Sequence, residues 1–76
     1  MQSLVKDESR EWSDAFIDAR YANCFRVGRN EFEMIIDFAQ CSSDSQPVVP
    51  HTRIVVHPEY CKRLVDLLRD AIEEDR

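Results

Sequence analysis

Long hydrophobic runs are missing from this chain: no stretch approaches the roughly 20 apolar residues of a membrane-spanning helix. That excludes a helical membrane span. The opening residues, MQSLVKDESREW, lack the apolar segment of a secretory leader, so a cytoplasmic location is expected. Glycine is nearly absent, with one residue in 76, and there are only three prolines, which excludes a low-complexity or linker-like chain. Positive charge is outweighed, ten Lys and Arg against fifteen Asp and Glu, and the resulting net charge of -5 disfavours nucleic-acid or membrane-surface partners. No internal repeat is visible. Cysteine is present but not in a pattern: Cys24, Cys41 and Cys61 are odd in number and include no C-x-x-C. They read as three reduced thiols, without a disulfide framework.

What remains is 43% hydrophobic and 33% charged, the composition of one ordered globular domain. A domain of this length buries so little surface that it commonly needs a disulfide, a metal or a second subunit. The acidity is concentrated at the two ends. Residues 19 to 57 balance four arginines (Arg20, Arg26, Arg29, Arg53) against four acids.

The clearest element lies at the end of the chain, where Tyr60, Cys61, Leu64, Val65, Leu67, Leu68, Ala71 and Ile72 recur at helical spacing from Pro58 to Glu74. Their arc is about 160° wide, broader than the roughly 100° that one supporting surface uses. Pro58 suits the first helical position and Glu59 the positive end of the dipole. His57 stands at the cap, where Ser or Asp would serve better.

Before the helix, Thr52, Ile54 and Val56 alternate with Arg53, Val55 and His57, a β-branched run that predicts a strand. Two earlier runs predict a hairpin. With a two-residue turn at Arg29-Asn30, Val27 pairs with Phe32, Phe25 with Met34, Asn23 with Ile36 and Tyr21 with Phe38 on one face. The other face then pairs Arg26 with Glu33 and Cys24 with Ile35. A turn at Gly28-Arg29 shifts the register by two and keeps the faces. Residues 41 to 50 form a polar loop.

The expected fold is therefore α+β, a three-stranded antiparallel sheet packed by one C-terminal amphipathic helix. A β-β-β-α domain spans 19–76. Residues 1–18 form an N-terminal segment, a short helix or flexible, in which Trp12, Ala15, Phe16 and Ala19 follow helical spacing.

With these elements placed, Tyr21-Ala22-Asn23, Phe25-Arg26-Val27-Gly28, Phe32-Glu33, Asp37-Phe38, Thr52-Arg53-Ile54-Val55, Pro58-Glu59 and Lys62-Arg63-Leu64 resemble domain-of-unknown-function family 3467. These are small prokaryotic proteins without an assigned activity. The resemblance runs from Arg20 to Ile72 and implies a compact sheet-plus-helix unit, with no catalytic residue to carry over.

No constellation points to catalysis. His57 and Cys61 lie four apart near His51, in no zinc spacing, and Cys61 falls inside the apolar arc as a small hydrophobe. No third group orients a His57-activated Cys61 nucleophile. Glu33 and Asp37 on one strand face are about 13 Å apart, too far to share a proton. Glu33 fits Arg26 as a partner, and Asp37 fits the role of an acceptor for a loop or an arginine. No cofactor or metal is expected, and the chain reads as non-enzymatic.

Two binding roles follow. The leading one is a protein–protein interaction module, a homodimeric accessory or regulatory subunit. The helix covers the face bearing Phe25 and Val27, and the dimer uses Ala22, Cys24, Ile35 and Ala39 on the other. Trp12 and Phe16 serve either as a docking segment for another protein or as packing on the chain's own sheet. The alternative is a small-ligand or nucleic-acid binder using Arg20, Arg26 and Arg53.

Overall fold

A computed structural model describes residues 5–13, 17–43 and 46–74. The expected elements are present in the expected order: β1 (Cys24–Arg29), β2 (Met34–Ala39), β3 (Thr52–Val56) and α1 (Pro58–Glu73). The strands form one antiparallel sheet in the order β1-β2-β3. No helix is found in 5–13 or 17–23, so the N-terminal helix is absent from those residues; Ala15 and Phe16 lie outside the described residues.

The hairpin register differs from expectation. Cys24 faces Ala39, Phe25 faces Phe38, Arg26 faces Asp37 and Val27 faces Ile36, four positions beyond the partners of a two-residue turn. Such a turn would force Arg29 and Asn30 into left-handed backbone, which a β-carbon disfavours. The chain instead makes a longer loop folded around Asn30. The Asn30 N–H donates to the Glu33 carbonyl at 3.0 Å, and Asn30 Oδ1 accepts from the Phe32 and Glu33 amides at 2.9 and 2.8 Å. An asparagine side chain thus substitutes for a backbone turn. Because the displacement is even, each residue keeps its face.

One face therefore carries Phe25, Val27, Met34, Ile36, Phe38, Ile54 and Val56. Phe25 and Phe38 meet edge to face, with centroids 5.8 Å apart. The opposite face carries Cys24, Arg26, Ile35, Asp37, Ala39, Arg53 and Val55.

The helix begins where Pro58 predicts, but His57 caps it better than expected: in extended backbone, its Nδ1 accepts from the Glu59 amide at 3.1 Å. An imidazole nitrogen reaches the orphan donor that a serine oxygen would otherwise satisfy. The helix makes only marginal contact with any strand, and none of its residues is buried. The expected packing of this helix over the Phe25 and Val27 face is not made within a single chain.

The three cysteines are not all free. Cys24 and Cys41 form a disulfide with Cα atoms 6.0 Å apart, and Cys61 remains a free thiol, half-buried on α1. The register explains the pairing, because Cys24 faces Ala39, two residues before Cys41. Asn23 fastens the same corner. Its Nδ2 donates to the Cys41 carbonyl at 3.1 Å, and its Oδ1 accepts from the Cys41 amide at 2.7 Å. With two thiols paired, the cysteines no longer support a reducing compartment.

A thiol reagent applied to the denatured, unreduced protein should modify Cys61 alone, and after reduction all three cysteines. For a sequence separation of 17, loop-closure entropy predicts that Cys24→Ser lowers stability by about 3 kcal/mol in denaturant titration. Three reactive thiols without reductant would contradict the pairing.

Candidate functional site

The polar centre of the sheet is Asp37. It lies on the middle strand, with Arg26 directly across on β1 and Arg53 directly across on β3. The two arginines therefore close on it from both sides. Arg26 donates to Oδ2 through Nε at 2.9 Å and Nη2 at 2.7 Å. Arg53 donates through Nε to Oδ1 at 2.7 Å and through Nη2 to Oδ2 at 3.0 Å. Asp37 is 3% exposed, whereas both guanidinium groups face solvent. The arginines form a lid over the carboxylate, an arrangement of charge-assisted bonds in which a buried charge is fully paired.

This geometry corrects the expected Arg26–Glu33 pair: Glu33 lies in the hairpin loop just before β2, and Asp37 takes its place. The hydrogen bonds from Arg53 and then Arg26 hold the Asp37 carboxyl well below the usual carboxylate range, outweighing the opposing effect of burial. The same bond, with the charge of Asp37, raises Arg53. A carboxylate so held stays ionised at neutral pH. Its oxygens are committed to the two arginines, so Asp37 serves the sheet as a hydrogen-bond acceptor.

Arg20 is not part of this clamp. Its Nη1 donates to the His51 carbonyl at 3.5 Å. His51 itself ties the segment before β1 to the start of β3, with Nε2 2.9 Å from the Tyr21 carbonyl oxygen and Nδ1 2.7 Å from Thr52 Oγ1. Asn23 and His51 are thus structural anchors that sequence reasoning passed over, and Asn30, expected in the turn, acts there through its side chain. The signal that points to Asn23 and Asn30 is an asparagine beside a strand end, where its side chain can stand in for backbone hydrogen bonding.

The residues expected at a dimer contact are placed unevenly. Ala39 is buried, Cys24 is in the disulfide, and Ala22 and Ile35 are half-buried. Their face is largely taken up by the arginine clamp and by a shallow groove that Val48 and Pro50 help to line. The open apolar surface lies on the other side. There Phe25 is 65% exposed and Val27 61%, and on the helix Leu68 and Ile72 are 55% and 65% exposed. Trp12 is likewise exposed. Among the described residues, no cluster of three His, Cys, Asp or Glu is placed to hold a metal ion, and no helix is long and apolar enough to cross a membrane.

Because Asp37 has a lower pKa folded than unfolded, the unfolded chain binds more protons between the two values, and the clamp's contribution is lost as pH falls through that window. Asp37→Asn should therefore lower the melting temperature at pH 7 and remove part of the acid sensitivity of the native protein below about pH 4. Parallel melts of both proteins from pH 7 to pH 2 measure this. An equal decline in both would contradict the clamp.

No curated protein and no solved structure matches the chain. A family model described as "Protein of unknown function (DUF3467)" matches residues 3–75, a longer span than the motifs from Arg20 to Ile72 suggest. The chain belongs to the DUF3467 family.

Proposed function

We propose that the chain is a non-enzymatic protein–protein interaction module that works as a homodimer, a small accessory or regulatory subunit. The observation that carries this reading is the missing core. Ala39 is the one buried apolar residue among those described, and no large side chain there is fully buried. A compact monomer of 8.9 kDa would expose about 4800 Å². This chain exposes 7203 Å². Its radius of gyration, 14.7 Å, also exceeds the roughly 11 Å of a compact domain of this length.

The exposed segment before β1 contributes part of that excess. The rest includes side chains with every reason to leave water. Each fully buried Val, Leu, Ile or Phe contributes about 1.5–3 kcal/mol, against a total stability of about 5–15 kcal/mol for a typical domain. A single copy forgoes that term on both its sheet and its helix. A second copy recovers it without metal or cofactor. The ligand-binding reading through Arg20, Arg26 and Arg53 is weaker, because Arg26 and Arg53 are already committed to Asp37 and Arg20 stands apart.

Light scattering should report a mass near twice that of the chain, and the melting temperature should rise with protein concentration, as coupled folding and association requires. A monomer at high micromolar concentration, with a melting temperature indifferent to dilution, would overturn the proposal.

A further inference from the structure

The structure leaves two apolar surfaces without a partner, and they match each other. One is the sheet face with Phe25, Val27 and Ile54; the other is the helix arc with Leu64, Leu68 and Ile72. We infer that the dimer forms by reciprocal exchange: the α1 helix of each copy lies across the Phe25 and Val27 sheet face of the other. This rests on the homodimeric reading above and names the surfaces that it uses.

Dimensions favour the exchange. A helix of 16 residues is about 24 Å long, and strands of six residues extend about 20 Å, so the helix spans the strands. Three strands about 4.8 Å apart make a face about 10 Å across, the width that one helix covers. Each copy supplies one helix and one such face. A two-fold arrangement satisfies both copies with two identical contacts and closes, so neither of these surfaces is left to recruit a third chain.

The area agrees as well. A chain of this mass exposes about 2400 Å² more than a compact monomer would, as shown above. A standard complex buries about 800 Å² per partner, and obligate homodimers bury 2000 Å² or more in total. The excess, part of which belongs to the exposed segment before β1, is about three times what one partner gives up in a standard complex. The opposite sheet face is less suited to an apolar partner, because Asp37, Arg26 and Arg53 place one carboxylate and two solvent-facing guanidinium groups at its centre.

The test uses the full chain with benzoylphenylalanine in place of Phe25, refolded with intact disulfide in a large excess of nitrogen-15 wild-type protein and irradiated. The expected adduct joins the unlabelled probe to heavy peptides from 59–73. A second variant carries the probe at Ile72 and should attach to heavy peptides from 24–39. It also covers the case in which the Phe25 variant fails to fold. Light peptides from the probe's own helix would show that each helix covers its own sheet, and would overturn the exchange. Heavy adducts elsewhere in a protein of dimeric mass would leave the homodimer standing and reject these surfaces. A protein of monomeric mass would reject both.

Discussion

Burial is the constraint on which everything else in this molecule turns. Three short strands and one helix form a sheet with an apolar face and a helix with an apolar arc, and the described residues hold no further helix or strand to cover either. Within one copy the two surfaces do not meet, because α1 follows β3 after His57 alone and makes only marginal contact with the strands. Domains of this size commonly make up such a shortfall with covalent links or a second subunit. This chain has one disulfide, which fastens the N-terminal end of β1 to the residue two beyond the end of β2 and covers neither apolar surface. In the proposed dimer, the second copy provides the missing layer.

The two sides of the sheet divide the work. On one side, Asp37 and its two arginines tie all three strands in a single row, and this polar clamp specifies register as well as stability. A slip of one residue in either ladder would separate Asp37 from an arginine and leave a buried carboxylate short of donors. On the other side the aromatic and aliphatic residues specify nothing by hydrogen bonding. They provide area. A surface of that kind suits association, while the clamped side presents two solvent-facing guanidinium groups over an ionised carboxylate. Asp37, Arg26 and Arg53, the charged cluster of the sheet, are residues that the fold uses to hold its strands together.

Much of this was legible in the sequence. The helix from Pro58, the third strand at Thr52 to Val56 and the assignment of residues to sheet faces follow from periodicity, which packing does not override here. Asp37 was recognisable as an acceptor for an arginine, because an acid between Ile36 and Phe38 must be satisfied locally. The register was not legible, since hairpin length depends on whether Asn30 folds the loop with its own side chain. That uncertainty, together with the odd number of cysteines, concealed the disulfide. With Cys24 opposite Ile35, Cys41 would lie about 20 Å along the strand, whereas opposite Ala39 it comes within bonding reach. It also concealed the true partner of Arg26. The seat of α1 was not legible for a different reason: helical width shows that α1 needs more than one surface, but periodicity does not say whether that surface belongs to the same chain.

The central claim, that the helix and the sheet complete each other only between copies, is tested most directly by amide hydrogen exchange across a dilution series. The account predicts that protection of residues 59–73 and of the strand amides falls together as the protein is diluted through its dissociation range, because neither element holds a core alone. Helix and strand protection that stays unchanged at the lowest concentration, in a protein of monomeric mass, would contradict it.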